Sequence, residues 1–306
     1  MKFKLQMLLA KIETTYGTDP TPTAAANWLA AQNIEINPVE METDDQATVS
    51  NSFGMDEKIV GAIWSTISFD VPLRGSGTAG NAPNFDVILR SCGMAKVTTA
   101  GVSVVYSPID TGDESCTLYW YMDQVLQKLT GVRGSWELKV NAKKQILLGF
   151  KGIGLRSAMT DSGGIPAPTI PTLPRPLAMN KANTTVTIGA FSPQMSTFTV
   201  TQGNDVQYRN LTGREDVTIV DRASKLTASI ELPPVATKDF LGASGLISTA
   251  ATDSFTVVHG ATPGNIVTLT VPKAQLFTPK MGNEQGQAML SCEGLIVRNN
   301  MTLAFT

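Results

Sequence analysis

The chain has 306 residues, of which 42% are hydrophobic and only 16% are charged, and its formal net charge is −2. This length predicts about two domains, each able to bury a hydrophobic core. The charge balance argues against a nucleic-acid-binding protein with a basic face. The low charged fraction favours a protein that covers much of its surface with partners.

Cysteine usage and the N-terminus bear on the compartment. The three cysteines, Cys92, Cys116 and Cys292, are an odd number without metal-ligand spacing, so we expect no disulfide framework and a reducing compartment. Gln6 and Lys11 interrupt the apolar N-terminal stretch, which leaves too little hydrophobic length for a cleaved signal. No stretch approaches the about 20 apolar residues of a membrane span.

The first 32 residues do not have the pattern of a compact lobe. Residues 17–23 contain two prolines and a glycine, which interrupt regular structure. The stretch from Leu8 to Tyr16 has the spacing of a short helix. We expect residues 1–32 to form an arm that becomes ordered against a neighbouring chain, with a frayed terminus as the alternative.

From Asn33 onward apolar and polar residues alternate, as they do over residues 34–37, 67–71 and 136–140. A period of two predicts antiparallel strands with one buried face and one exposed face. One helix is predicted at residues 84–93, which have an Asn cap, an apolar centre and a terminal glycine. The predicted fold class is therefore mainly β.

The sequence contains one pattern twice. Residues 51–57 and 210–216 both have the order Asn-x-x-Gly-x-acid-acid, and each precedes a strand-like run that ends in a proline, Pro72 or Pro233. A second helix is expected at Thr237–Gly242. A hairpin closes each half, at 136–150 and at 265–297, the latter with a polar loop over 277–285. We predict two tandem β-sandwich or barrel lobes, each with a flanking helix, from an internal duplication.

A proline-rich segment separates the predicted lobes. Five prolines make it an extended, semi-rigid spacer that can cross the face of a small domain. We interpret it as a strap between lobes, although its PxxP pairs also fit a ligand of a proline-recognition domain. The prolines are Pro166, Pro168, Pro171, Pro174 and Pro176. The predicted domains are an arm (1–32), a first lobe (33–160), a linker (161–180) and a second lobe (181–306).

Motifs of enzyme chemistry are weak. Residues 75–80 match GxGxxG, but Pro72 ends the preceding strand early and no acidic residue follows at the required spacing, which favours a flexible loop over a dinucleotide site. His259, the single histidine, lacks placed partners for a triad or a zinc site. The acidic run 110–114 lacks the spacing of a calcium loop. We predict no catalytic residue, no metal and no cofactor, and hence no enzyme.

Five segments carry a resemblance to a known family, and together they run over nearly the whole chain. They are residues 11–23, 122–134, 180–184, 206–222 and 258–267, and the first has the sequence Lys-Ile-Glu-Thr-Thr-Tyr-Gly-Thr-Asp-Pro-Thr-Pro-Thr. In this order the segments resemble tail tube proteins of long-tailed bacteriophages with non-contractile tails.

The resemblance implies β-sandwich lobes, each with a flanking helix, in rings that stack into a hollow tube around the path of DNA. If a ring has six lobes and each chain supplies two, three chains close a pseudo-hexameric ring. The implied partners are other copies of the chain, a tape measure protein, tail-terminator and distal tail proteins, and double-stranded DNA that passes without specific binding. No membrane is expected. The implied location is the virion tail, assembled in the host cytoplasm.

The site residues expected for such a tube fall into two groups. Asp70 and Glu231 hold matching positions on the polar side of the repeated strand, and we expect them to line a lumen where basic residues would bind phosphate; an outward-facing strand is the alternative. The resemblance assigns contacts between stacked rings to the arm and to the loop 40–57. The residues concerned are Tyr16, Asp19, Pro20, Asp44 and Asp45.

Rival functions stay open. A contractile tail or a secretion system also contains a tube, but its subunits normally have a single lobe. A tandem β-sandwich adhesin or carbohydrate-binding protein should carry an export signal and exposed aromatic clusters, whereas aromatic residues make up 7% of this chain. An enzyme is the third alternative.

Overall fold

A computed structural model of the protein describes residues 2–46 and 53–306. Strands account for 55% of the chain and helix for 3%, and the strands form large antiparallel sheets. The prediction of a mainly β protein is therefore confirmed.

The first half of the chain contains ten strands and the single α-helix of the described residues. These elements are β1 (Gln6–Ile12), β2 (Trp28–Leu29), β3 (Gln32–Asp45), β4 (Lys58–Pro72), α1 (Asp86–Ser91), β5 (Met94–Thr99), β6 (Ser103–Pro108), β7 (Cys116–Met122), β8 (Val125–Asn141), β9 (Leu147–Arg156) and β10 (Thr160–Asp161). The helix predicted at 84–93 is present as α1.

The second half contains nine strands and one turn of 3₁₀-helix at Val297–Asn299. The strands are β11 (Thr184–Ile188), β12 (Met195–Thr201), β13 (Asn204–Leu211), β14 (Arg214–Arg222), β15 (Lys225–Glu231), β16 (Thr252–His259), β17 (Val267–Glu284), β18 (Gln287–Ile296) and β19 (Thr302–Phe305).

The strands of each half pair into an antiparallel ladder. The first ladder has the order β3-β4-β9-β8-β7-β1, and the second has the order β12-β15-β18-β17-β16-β11. In both ladders, the short strand that follows the closing hairpin pairs with the first residues of the long strand of that hairpin. These pairs are β10 with β8 and β19 with β17. Corresponding strands also occur in the same order along the chain.

Two differences separate the ladders. First, the counterpart of the long hairpin β3–β4 is divided into two strand pairs. These are β12–β15 and the separate two-stranded sheet β13–β14. The first half also contains α1, β5 and β6 between β4 and β7, whereas residues 232–251 of the second half form turns. The predicted helix at Thr237–Gly242 is therefore wrong. The Asp239 side chain accepts a hydrogen bond of 2.6 Å from the Gly242 amide, a local turn that competes with helix.

The polar loop predicted over 277–285 is also wrong. Residues 280–284 of β17 pair with residues 287–291 of β18, so only Gln285 and Gly286 remain at the turn. Both have positive φ angles, 52° and 86°, as tight two-residue hairpin turns require. The hairpin β17–β18 is consequently long, and every residue from Phe277 to Glu284 is exposed.

The N-terminal segment is not a free arm. Strand β1 pairs with β7 over its whole length and with β2 on its other edge. Leu8 packs in the main hydrophobic core, whereas Met7 and Leu9 pack in a smaller cluster on the opposite face. Burial on both faces gives a continuous apolar run instead of an alternation. The predicted arm and the helix from Leu8 to Tyr16 are wrong for this reason.

The two ladders are joined into one body. Residues 197–201 of β12 pair with residues 137–141 of β8, and β19 pairs with β6. Buried side chains from both halves form one continuous core, in which Leu138 and Val140 of β8 lie beside Phe198 and Leu269. Residues 162–177, which include the predicted strap, contain neither strand nor helix. The predicted domain boundaries around that strap stay predictions.

The glycine motif at 75–80 serves this junction. The Gly77 amide donates to the Gly264 carbonyl at 2.9 Å, and the Gly75 amide donates to Asn265 Oδ1 at 2.8 Å. A Cβ atom at Gly75 would lie 2.0 Å from the Gly264 oxygen. The motif thus permits two backbones to meet closely; residues 75–80 form a loop, as predicted, and hydrogen bonds fasten that loop to the second half.

Candidate assembly surface

One face of the joined sheet is polar and crosses both ladders. Residues directly opposite each other in antiparallel strands lie on the same face of a sheet. Asp70 is opposite Gly149, Gly149 is opposite Glu137, Glu137 is opposite Thr201, and Thr201 is opposite Lys225. Strand β15 then alternates regularly from Lys225 to Glu231. Asp70 and Glu231 therefore share one face, which we call the polar face.

The surroundings of Asp70 on the polar face are charged and hydrogen-bonded. Asn33 Nδ2 donates to Asp70 Oδ2 at 2.9 Å, and Lys139 Nζ lies 3.5 Å from Asp70 Oδ1. The same ammonium group lies 3.8 Å from Glu137 Oε2. These groups line an open cavity of about 390 Å³ between β3 and β12. The lining combines three acids with two lysines, Lys139 and Lys151, so this part of the polar face is close to neutral.

The part of the polar face in the second ladder has a similar balance. Glu231 is opposite Met289, two residues before Pro233, as Asp70 lies two residues before Pro72. The pairing of β15, β18 and β17 brings three acids and two lysines to this side of the sheet. They are Glu231, Glu284, Glu293, Lys225 and Lys280.

The part of the joined sheet that carries the polar face (β3-β4-β9-β8-β12-β15-β18-β17) ends at two edges without a partner among the described residues. Strand β3 pairs with β4 alone. Residues 280–284 of β17 pair with β18 alone, whereas the corresponding part of β8 (135–139) pairs with β9 and, over residues 137–139, also with β12. Strand β3 corresponds to β12, and the end of β17 corresponds to the end of β8. The two free edges are thus the same kinds of edge that join the ladders within the chain.

Side chains at the free edges are poorly covered. Met281 and Trp136 hold equivalent positions, because both lie on the core side of the sheet and are opposite equivalent residues of the next strand. Met281 is opposite Leu290, and Trp136 is opposite Phe150. Trp136 is 1% exposed, whereas Met281 is 70% exposed. Ile34 and Ile36 on β3 are only half-buried against the core. Each edge therefore exposes apolar side chains that a second strand would cover.

Three of the residues predicted to contact the next ring have partners within their own chain. The Tyr16 hydroxyl accepts a hydrogen bond of 2.5 Å from the Val217 amide of β14. Burial raises the pKa of Tyr16, outweighing the lowering by that hydrogen bond. The Pro20 carbonyl accepts from Lys11 Nζ at 2.8 Å.

Asp19 lies in a similar internal network. Its carboxylate accepts hydrogen bonds from the Tyr119 hydroxyl, from Lys128 Nζ at 3.1 Å and from the Thr21 amide at 2.8 Å. Burial opposes its ionisation, but these hydrogen bonds outweigh burial and hold the pKa of Asp19 below its ordinary value. Tyr16, Asp19 and Pro20 therefore have partners within the single chain, and their contact with the next ring stays a prediction.

The other two predicted contacts lie on the long hairpin. Asp44 and Asp45 are exposed near the end of β3, and Asp45 Oδ1 is 3.1 Å from Lys58 Nζ of β4. Asn51 and Ser52, which begin the first copy of the repeated motif, lie outside the described residues. The second copy forms the turn between β13 and β14. Both copies thus fall between two paired strands.

The strap lies against the first half of the chain. The Thr169 amide donates to the Ala24 carbonyl at 3.3 Å, and Arg74 Nη1 donates to the Pro174 carbonyl at 3.3 Å. Pro166 and Pro168 lie at a groove beside residues 4–7 and Trp28. These contacts fit a strap. Its role as a fixed connection between lobes stays a proposal.

A buried carboxylate near the N-terminus gave no signal in the sequence. Glu13 is 7% exposed. It accepts hydrogen bonds from Ser115 Oγ and Thr117 Oγ1, both at 2.6 Å, and from the amides of Gly131 at 2.7 Å and Gly17 at 2.8 Å. The network fastens the loop after β1 to β7 and β8. Three of its four donors come from residues more than 100 positions away from Glu13, so sequence spacing could not reveal it.

The single histidine is a core residue. His259 is 3% exposed, and its Nδ1 atom forms a hydrogen bond of 2.8 Å with Thr184 Oγ1 of the neighbouring strand β11. Burial lowers its pKa, outweighing a backbone hydrogen bond that raises it. The structural role expected for this residue fits these contacts.

The His259 pKa predicts a pH dependence of stability. Because the folded-state pKa lies below the unfolded-state value of about 6.5, the stabilisation is complete above that pH and falls as the pH drops towards the folded-state pKa. The slope from one imidazole reaches at most about 1.4 kcal/mol per pH unit. Urea unfolding between pH 7.5 and 5 should show the decline in the wild type and a flatter profile in His259→Gln. Equal slopes in both proteins would contradict the assignment.

Within residues 2–46 and 53–306, no group of three or more His, Cys, Asp or Glu side chains could hold a metal ion. In the same residues, no helix has the length and apolar character needed to cross a membrane. The three cysteines are buried and free.

The continuous sheet, its polar face and its two free edges define a structural β protein suited to association edge to edge. A family model described as phage tail tube protein matches residues 5–291. The chain therefore belongs to the phage tail tube protein family, whose members are structural. A search of the curated proteins found no match.

Proposed function

We propose that this protein is the tube subunit of a non-contractile phage tail and that three chains close each ring. The proposal rests on one observation: the two free edges, on β17 and β3, are equivalent to the two strands, β8 and β12, that pair to join the ladders within the chain. If the end of β17 in one chain pairs with β3 of the next, the junction between chains repeats the junction within a chain. A heterologous contact of this kind forms a ring when its rotation closes.

The strand count supports a closed tube wall. Four strands of each ladder (β3-β4-β9-β8 or β12-β15-β18-β17) carry the polar face, and six ladders of four strands give a barrel of 24 strands. Closure removes both free edges, which would otherwise promote uncontrolled pairing. The matching order of the two ladders supports an origin by internal duplication.

The charge of the polar face suits a DNA path. A wall rich in basic residues would bind phosphate strongly, whereas a nearly neutral wall lets DNA pass. We propose that the part of the polar face around Asp70 and Glu231 lines the lumen. Asp44, Asp45 and the end of the long hairpin would contact the next ring along the tube. In the virion tail, the tube would surround a tape measure protein, meet terminator and distal tail proteins, and assemble in the host cytoplasm.

Electron microscopy of the purified protein in negative stain, combined with a mass measurement of single rings, tests this proposal. We expect hollow tubes or stacked rings whose end-on averages have threefold or pseudo-sixfold symmetry and whose mass equals three chains. A mass of six chains would keep the tube and overturn the ring of three. Two-lobed monomers at every concentration would overturn the tube and favour a binding protein such as an adhesin.

A further inference from the structure

The hairpin β13–β14 covers one end of the first ladder. Tyr208 of β13 stacks on Trp64 of β4, with ring centroids 5.0 Å apart. Arg133 Nη1 of β8 donates to the Val217 carbonyl of β14 at 2.5 Å. Asn204 Nδ2 donates to the Gly134 carbonyl at 2.8 Å. A hairpin from the second half of the chain is thus fastened onto the sheet of the first half.

The covered positions have counterparts in the second ladder. We take Asp70 of β4 and Glu231 of β15 as equivalent, and we match the residues that precede them at equal spacing. The residues opposite these in the neighbouring strands are then matched in the same way. The covered group is Trp64, Thr66, Arg133, Ile153 and Leu155. The corresponding group, which we call the uncovered patch, is Lys225, Thr227, Phe277, Glu293 and Leu295.

Burial differs systematically between the two groups. All five residues of the covered group are half-buried, and all five residues of the uncovered patch are exposed. The patch exposes two large apolar side chains, Phe277 at 41% and Leu295 at 42%. These two residues are diagonal neighbours on one face, because Phe277 is opposite Glu293 and Leu295 is opposite Gln275. The patch therefore has the position of a covered surface but lacks its cover within the chain.

The counterpart of the missing cover lies elsewhere in the same chain. Just as β13–β14 extends the pair β12–β15, the outer part of the hairpin β3–β4 (residues 39–45 and 58–64) extends the paired inner part of these strands. This outer hairpin exposes Val39 at 40%, Met41 at 51%, Ile59 at 50% and Val60 at 48%. The chain thus exposes an apolar hairpin and an apolar patch. Their positions match those of β13–β14 and the covered group, which contact each other within the chain.

We propose that the outer hairpin of one chain seats on the uncovered patch of a neighbouring copy. This inference rests on the proposed ring, in which β3 pairs with β17 of the neighbour and brings the outer hairpin to the patch. Within the chain, the pairing of β12 with β8 brings β13–β14 to the covered group in the same way. Apolar side chains make this contact, because the patch itself is neutral, with Lys225 balanced by Glu293.

Photocrosslinking tests the contact directly. Phe277 is replaced by benzoylphenylalanine in isotopically heavy chains, which are mixed with light chains, assembled into tubes and irradiated. We expect heavy-to-light crosslinks whose light peptide falls within residues 39–64. The same replacement at Val97, which is 60% exposed on β5, is the control and should give no such crosslink. Crosslinks from position 277 to any other segment, or only within one chain, would overturn the proposal.

Substitution provides a second readout. The double variant Phe277→Ser with Leu295→Ser should raise the concentration needed for assembly roughly tenfold, because it removes about half of two large apolar contacts. Its thermal unfolding as a monomer should match the wild type, since both side chains are exposed. The control Val97→Ser should assemble normally. If tubes form equally well from the double variant, the hairpin contact is refuted while the ring stands; if the wild type forms no ring, both are refuted.

Discussion

Glu13→Ala is expected to lower the free energy of unfolding by about 3–5 kcal/mol, because several buried donors each lose their acceptor. The substitution leaves two hydroxyl groups and two amides without their shared acceptor in a site that is almost closed to water. A loss of this size is a large part of the stability of an ordinary domain, which is about 5–15 kcal/mol. The loop from Gly17 to Pro20 should loosen as well, and with it the contact of Tyr16 with β14.

Urea unfolding of the monomer measures this effect. Glu13→Gln keeps the shape and one acceptor oxygen, so its loss should be smaller than that of the alanine variant. Glu284→Ala is a matched control, because Glu284 is exposed at the end of β17 and its replacement should change stability by about 0.5 kcal/mol or less. A loss below about 1 kcal/mol for Glu13→Ala would show that the network contributes little.

Elements with a local signature were predictable from the sequence. In β4, Ile67, Phe69 and Val71 are buried and alternate with Ser68 and Asp70 on the half-exposed face, which is the period-two pattern of a strand. The hairpin β8–β9 and the helix α1 follow from alternation and from a terminal glycine. In each case the residues that determine the structure are neighbours in sequence.

Elements determined by distant contacts were not predictable. Strand β1 lacks alternation because both of its faces are buried, and Leu8 and Leu9 consequently imitate a helix. Residues 280–284 are polar, yet they form a strand because β18 pairs with them. The close approach at Gly75 depends on Gly264, which lies almost 190 residues further along the chain. Only the folded chain brings these partners together.

The candidate surface was predictable in part. The match of Asp70 with Glu231 follows from the repeated strand, and the pairing through β9, β8 and β12 places both on one face. The sequence could not distinguish edges that pair inside the chain from edges that stay free. Tyr16 shows the same difficulty, since its hydroxyl meets the amide of Val217, which lies 201 residues further along the chain.

Met281→Asp is expected to abolish ring assembly without unfolding the chain. In the proposed ring, Met281 takes the position that Trp136 holds inside the chain and is buried against β3 of the neighbour. An aspartate there would bury a charge against apolar side chains without a partner, which costs several kcal/mol. Because each 1.4 kcal/mol is tenfold, the concentration needed for assembly should rise at least about 100-fold. The monomer should keep its stability, since Met281 is 70% exposed within a single chain.

Sedimentation velocity across a concentration series measures this shift, and two variants make the result specific. Met281→Leu keeps an apolar side chain of similar size and should assemble nearly as well as the wild type. Val97→Asp places the same charge at a side chain that is 60% exposed on β5, away from both free edges, and should also assemble. If Met281→Asp assembles at the wild-type concentration, β17 does not meet β3 of the next chain. If Val97→Asp also does not assemble, the loss of assembly is caused by the added charge itself. The assignment of β17 and β3 as the ring-forming edges would then be unsupported.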